Sequence, residues 1–553
     1  MKPEKTLMIS PIQHGTVIDH ITPGEGLTVI RILGISRGTS ETVTVACNVE
    51  SSHGGRKDLV KIANRELVKD EVDKIALVAP DATISIIRDY QVVDKKPVAA
   101  EQKLRYMTET PLTKLILSLS VPTVISMLIT SFYNMADTYF VGLIGSASAS
   151  GAVGVVFPLM SIMQAVGFMF GHGSGNHMSR VLGAGKTDDA MRMAATGFFS
   201  AFIAGVVIML TGLLAAEPLV YLLGSTPTIA PYAQQYIRYL MPGVPFLISS
   251  LVLNNQLRFQ GSAFHGMIGI TSGALLNVAL DPLFIFVFDM GVAGAALATS
   301  LSQMVSFVLL LAGTAKGGNI RIRFSCFTPT LSNFREIFRG GIPSLARQGL
   351  NSLATVCLNL AAGGYGDAAI AAMSIVSRVM MMTVSAIIGF GQGFQPVCGF
   401  NYGAKLYSRV RKAFWLCVRI CFGVLVVLAV FAVTFAPQIV SLFLAADPDV
   451  QRIGSLALRL QCIFIPLFSF TCISNMMLQT MGIAGRATLL AISRQGLFFI
   501  PAVLLLEKFF GLLGVQTAQP VADVLAFLLA IPLTATVLRE LKQLESTETT
   551  AKE

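Results

Sequence analysis

Residues 129–144 read ITSFYNMADTYFVGLI, and Asp137 is the one charged side chain in an apolar stretch that runs from Leu115 to Ile144. As a helix rising about 1.5 Å per residue, a stretch of this length crosses a hydrocarbon layer of about 30 Å. An ionisable group inside such a span is costly to bury, so it marks a candidate functional site. Asp137 lies about 22 residues, or roughly 33 Å, from the start of the span, which places it in the far half of the bilayer.

The remainder of the chain repeats this pattern. Of 553 residues, 53% are hydrophobic and 13% charged, and the mean hydropathy of +0.68 lies well above that of a soluble globular chain. Apolar segments recur near 115–144, 149–179, 190–215, 234–257, 264–288, 291–314, 336–362, 368–399, 410–435, 452–480, 486–508 and 513–538. Twelve spans put both termini on one side. Lys and Arg concentrate in the even-numbered links (Arg180, Lys186, Arg192, Arg258, Lys316, Arg321, Arg323, Arg335, Arg339, Lys405, Arg409, Arg411, Lys412, Arg486). The odd-numbered links carry Asp289, Asp367, Asp447 and Asp449 instead. Basic loops favour the cytosol, so both termini of this multi-pass membrane protein are expected there.

The first 100 residues differ, with 13 Lys+Arg balanced by 13 Asp+Glu and no apolar run of spanning length. The formal charge of +10 therefore belongs to the remainder, where it suits loops facing an anionic leaflet rather than nucleic acid. No basic stripe with interleaved aromatics appears. No basic-then-apolar leader precedes this part, so it is expected to stay in the cytosol. The eight cysteines form no CxxC pair and suggest small apolar packers rather than a metal site or a disulfide framework.

Short β-branched runs at 16–18, 27–33, 41–49, 83–87 and 91–93 alternate with Gly, Pro and Ser, and with two expected helices they indicate a small α+β domain over 1–97. The strings GTVIDHI (Gly15 to Ile21), GRKDLVKI (Gly55 to Ile62) and DYQVV (Asp89 to Val93) follow in the same order as in the nucleotide-binding domain of the aspartate carbamoyltransferase regulatory chain, which this segment resembles. The resemblance implies an effector site for CTP or ATP at Ile12, Asp19, His20, Lys61, Tyr90 and Lys95, and pairing of such domains into dimers. Lysines and a histidine suit a triphosphate, and a carboxylate suits an exocyclic amine or ribose. The four-cysteine zinc domain of that family is missing, so partnership with a carbamoyltransferase is not expected.

After a linker at 98–112, the membrane part divides into 113–330 and 331–540, with a polar tail at 541–553. Pro122, Gly145 and Gly261 recur as Pro343, Gly366 and Gly482, each 221 residues later. Six spans per repeat is an even number, so the halves share one orientation and should enclose a cavity and rock against each other. The repeat fails where acids stand: Asp137 maps to Leu358 and Asp281 to Ala502. Asn277 lies one helical turn before Asp281, and Thr299 sits in a small-residue helix that packs closely while offering an oxygen. Two carboxylates, an amide and a hydroxyl suit binding of H⁺ or Na⁺.

Residues 111–540 resemble the multidrug and toxic compound extrusion (MATE) family in PTVISMLITSFYNMADTYFVG, RVLGAGK, NNQLRFQG, NVALDPLFIF and GVAGAALATSLSQ. The resemblance, which is to the family's bacterial branch, implies a V-shaped two-lobe bundle in a bacterial cytoplasmic (inner) membrane, an all-α polytopic membrane protein of twelve transmembrane helices in two six-helix repeats behind the soluble domain. It maps a cation-coupling site onto Asp137, Tyr236, Asn277, Asp281 and Thr299, and a helix bend onto Pro122. The expected activity is secondary antiport, with H⁺ or Na⁺ entry driving export of organic, mainly cationic and drug-like compounds. Transport needs no cofactor, and CTP or ATP would be an allosteric effector. No Walker A string occurs, so no ATPase or other enzyme is expected. Intramembrane Arg347 and Arg378 support an alternative, export of an anionic metabolite such as a nucleotide derivative. A second alternative is a membrane-anchored nucleotide sensor. His172 and His177, five residues apart, read as packed or hydrogen-bonded residues.

Overall fold

The computed structural model describes residues 99–443 and 447–550, and in the first 98 residues the backbone of six strands. The chain divides into two compact units, Met1–Gln102 and Lys103–Glu553. In the first, β1 (Lys5–Ile9) pairs antiparallel with β2 (Ile18–His20) and parallel with β6 (Ala82–Ser85). A second, antiparallel sheet joins β3 (Val29–Arg37), β4 (Thr42–Ser51) and β5 (Gly54–Ala63) in that order. The runs expected at 27–33, 41–49 and 83–87 overlap β3, β4 and β6, and the string GRKDLVKI falls on β5. Residues 91–93 lie outside the described residues.

The linker expected at 98–112 is largely a helix, α1 (Ala99–Glu109). Met107 on α1 is fully buried, its carbonyl accepts a hydrogen bond from Asn401 Nδ2 at 3.2 Å, and Lys103 Nζ donates to Ser262 Oγ at 3.0 Å and Asn319 Oδ1 at 2.5 Å. Burial pushes the Lys103 ammonium down to about 8.

The first half of the second unit contains α2 (Leu112–Gly142), α3 (Ala147–Gly183), α4 (Thr187–Leu214), α5 (Ala216–Leu222), α6 (Ala230–Leu240), α7 (Val244–Phe259), α8 (Ala263–Pro282) and α9 (Val292–Thr314). The second half contains α10 (Leu331–Gly363), α11 (Asp367–Gly403), α12 (Tyr407–Thr434), α13 (Ala436–Ser441), α14 (Pro448–Phe464), α15 (Phe468–Thr480), α16 (Ala484–Ile492), α17 (Ile500–Phe510) and α18 (Leu512–Thr550). The tail expected from 541 continues α18, because Leu541 is buried and Arg411 pairs with Glu545 at 2.9 Å.

Among the described residues, eleven helices, counting those that continue through a short 3-10 or π turn, are long and apolar enough to cross a membrane. In the seventh place, α10 has 33 residues and the length to do so, but Arg335, Glu336, Arg339 and Arg347 make it less apolar than the others. The 221-residue repeat is visible in the backbone. Pro122 and Pro343 lie inside α2 and α10, Gly145 and Gly366 turn at φ of +74° and +94°, and Gly261 and Gly482 both at +81°. Those φ values belong to the left-handed region that a side chain disfavours, so glycine ends the same helices in both halves.

Each half has its own apolar core, and the two exchange their leading helices at one end. Leu115, Ile116 and Leu119 of α2 pack into the second half's core, while Ile337 of α10 packs into the first half's. Backbone meets backbone there: a Cβ at Gly173 would collide with the Ile337 carbonyl, and one at Gly403 with the Arg180 carbonyl. Polar ties, buried or partly buried, accompany this packing. Thr480 Oγ1 donates to Asn176 Oδ1 at 3.0 Å, Arg180 Nη1 to the Thr480 carbonyl at 2.7 Å, and Arg180 Nη2 to Glu336 at 2.9 Å.

Candidate functional site

Asn277 and Asp281 stand one turn apart on α8, on the same face as their spacing requires. Asn277 Nδ2 donates to both Asp281 Oδ1 and Thr299 Oγ1, each at 3.3 Å. All three are buried: Asp281 is 0% exposed, Asn277 2% and Thr299 7%. Pro282 follows directly and the helix widens into a π turn at Leu283–Val287, a backbone irregularity that often marks functional positions. The small-residue start of α9 lets Gly294 sit against the Phe284 backbone and brings Thr299 within reach of α8.

Asp137, on α2, makes no hydrogen bond to this group among the described residues. Its charge is nonetheless within electrostatic reach of Asp281, Tyr133 and Tyr236. Tyr236 on α6 is fully buried, and its hydroxyl approaches Met160 Sδ at 3.9 Å rather than a carboxylate. The structure therefore bonds Asn277, Asp281 and Thr299 together and gathers Asp137 and Tyr236 near them. Asp137 Oδ1, Asp281 Oδ2 and Asn277 Oδ1 are buried acceptors without a donor among the described residues. Orphaned acceptors cost about 1–3 kcal/mol each, a cost that a proton or a small hard cation would offset. Tyr133, one turn before Asp137, belongs to the same electrostatic group; its i, i+4 spacing in the stretch quoted above is the signal that identifies it.

Pro122 lies inside α2, fifteen residues before Asp137. Ser126 Oγ donates back to the Pro122 carbonyl at 2.9 Å, and Thr130 Oγ1 to the Ser126 carbonyl at 2.8 Å, bonds of the kind that accompany helix bending. Of the expected nucleotide-binding residues, Ile12, Tyr90 and Lys95 lie outside the described residues. Asp19 and His20 fall on β2 and Lys61 on β5, described as backbone alone.

One arginine departs from its sequence reading. Arg258, taken as a loop charge, lies on α7 with 2% exposure. Arg378, expected to be intramembrane, lies within α11, one of the helices long and apolar enough to cross a membrane, and its side chain is exposed. Arg347 is within reach of Arg258 and His172.

Residues 7–99 match the family model described as aspartate carbamoyltransferase regulatory chain, allosteric domain. The MatE model matches twice, over 122–283 and 343–504, beginning 221 residues apart. The multidrug export protein MepA of Staphylococcus saprophyticus is 27% identical over 432 residues, covering 78% of this chain and 95% of its own. A MOP superfamily transporter from Pyrococcus furiosus, described as having a binding pocket of reverse polarity, superposes with a TM-score of 0.74 at 27% identity, covering 81% of this chain and 99% of its own. The outward-facing conformation of a multidrug resistance MATE family transporter matches with the same score, identity and coverage. The two MatE matches together span more than half of the residues, and the chain belongs to the MATE family of multi-pass membrane transporters.

Proposed function

We propose that the chain is a secondary antiporter that exports organic compounds in exchange for H⁺ or Na⁺, with Asp137, Tyr236, Asn277, Asp281 and Thr299 as its coupling site. The observation that carries this reading is the set of buried acceptor oxygens without donors on Asp137, Asn277 and Asp281, in the half whose acids the repeat does not duplicate. Loading a cation there neutralises the repulsion between the two carboxylates and favours closer approach of α2 to α8. Pro122 lets α2 bend in response. The cation-laden and empty forms would then differ in which end of the bundle is open. The ties of Asn176, Arg180, Glu336 and Thr480 close the end that the basic loops assign to the cytosol, consistent with an outward-facing state. Relatives named multidrug export proteins support an organic, drug-like substrate, with cations as the first class to test.

The N-terminal domain is the proposed regulator, binding CTP or ATP and pairing with a second copy. Its route to the transporter is α1, which is tied to the first half through Lys103, Ser262 and Asn319, and to the second through Asn401 and, just past its end, through Arg409 Nη2 donating to the Thr110 carbonyl at 2.7 Å. A helix fastened to both halves changes their equilibrium if its own strain changes. The test is uptake of three dyes, cationic ethidium, zwitterionic rhodamine B and anionic fluorescein, into inside-out vesicles driven in turn by a pH and a Na⁺ gradient, with and without each nucleotide. Accumulation under one gradient is expected. Failure of both gradients would refute antiport, and an unchanged rate despite measured nucleotide binding would refute the regulation.

A further inference from the structure

We infer that the bundle interior holds an anion subsite built on Arg258 and Arg347, and that the exported compound carries a carboxylate or phosphate there. This deepens the antiport reading by narrowing its substrates to amphoteric or anionic organic molecules.

Arg258 is a fully buried guanidinium, and all its partners are neutral. It donates to Gln392 Oε1 across the two halves and to Asn255 Oδ1 on its own helix. Its Nη2 also lies 3.3 Å from His172 Nε2. His172 Nδ1 sits 3.1 Å from the Phe168 carbonyl, a contact that only a protonated Nδ1 satisfies, so Nε2 is the face that accepts from Arg258. Arg258 Nε is buried and has no partner among the described residues. Arg347, on α10, is within electrostatic reach of both Arg258 and His172, and it makes no hydrogen bond or ion pair among the described residues. No Asp or Glu among the described residues pairs with either arginine, whereas Arg180 and Arg494 each have one.

Two like charges gathered in a membrane interior without a counter-ion are expensive, and a planar guanidinium pair is suited to an oxyanion. The repeat strengthens the argument. Arg258 maps onto Gln479 and Arg347 onto Ser126, so this pair, like the Asp137 and Asp281 pair, breaks the pseudo-symmetry. One site collects negative charge within the first half, and the other collects positive charge from both halves. Arg347 also stands one turn after Pro343, as Ser126 stands one turn after Pro122, so an anion held there would act beside the second half's proline.

The experiment measures binding by ligand-observed NMR to the full chain in detergent, with benzoate, benzylamine and inorganic phosphate as probes. Arg347, without a hydrogen bond among the described residues, is the reporter, because Arg258 also ties the halves together. Saturable benzoate binding is expected, weakened at least tenfold in Arg347→Gln and largely kept in Arg347→Lys, with benzylamine not competing and phosphate weaker than benzoate. Absence of benzoate binding, equal binding in Arg347→Gln, or binding of phosphate alone would overturn the inference. No gradient is involved, so a failed gradient assay refutes antiport without touching this result, and the converse also holds.

Discussion

Glu336→Gln should loosen the closed end of the bundle. Glu336 accepts from Arg180 at 2.9 Å and lies 3.2 Å from His177, both across the interface between the halves, while its pair with Arg339 stays within α10. The carboxylate is 26% exposed and the Arg180 side chain 16%, so solvent screens part of the attraction and the cross-half pair contributes about 1 kcal/mol. Arg180 keeps the Thr480 carbonyl, the His177 Nδ1 contact at 3.4 Å and a neutral amide oxygen, and losing the carboxylate's charge beside its part-buried guanidinium adds a share of its burial cost, for a total of about 1–2 kcal/mol. That multiplies the population open at this end by about 5–30. Cys398 is a native reporter, fully buried beside Arg180. Its maleimide labelling, followed by peptide-resolved mass spectrometry, should accelerate by that factor. Arg339→Gln, which removes only the pair within the helix, should change the rate less than twofold. Equal Cys398 labelling in wild type and Glu336→Gln would refute the idea that this cluster holds the halves together.

Three other outcomes follow from the same structure. Gly403→Ala places a methyl against the Arg180 backbone, and separating α3 from α11 to fit it should cost about 1–3 kcal/mol, read as a lower melting temperature and faster Cys398 labelling. Asp523 receives Arg494 Nε at 2.6 Å with a side chain only 1% exposed; Asp523→Ala should destabilise by about 3–5 kcal/mol, and the double change Arg494→Met with Asp523→Leu should recover most of it. Lys103 falls to about 8 from an ordinary value of 10.5. Between those values the unfolded chain holds more protons than the folded one, so stability rises with pH across that window, and below about pH 8 the burial cost is fully present. Lys103→Met should remove that rise, seen as the difference between the two proteins' melting temperatures from pH 7 to pH 10.

Much of this was legible in the residues because membrane helices announce themselves locally. The apolar segments anticipate the helices, and Asn277 and Asp281 could be placed on one face from spacing alone. The 221-residue offset found in one proline and two glycines returns as matching positive-φ turns. What was not legible is non-local. Arg258 stands three residues before Gly261, where a basic residue reads as a loop charge, and only the packing of α7 against α3 and α11 buries it. The ties of Asn176, Arg180 and Thr480 join residues some 300 positions apart, with no periodic signature. The linker's helix was hidden by its polar composition, since its main buried anchor is the single Met107.

The most direct test of the central claim is gradient-driven accumulation of substrate in proteoliposomes containing wild type or Asp281→Asn. Loss of accumulation against the gradient in the variant, with its fold intact by Cys398 protection, is the predicted result. Accumulation at the wild-type rate in Asp281→Asn would contradict the account.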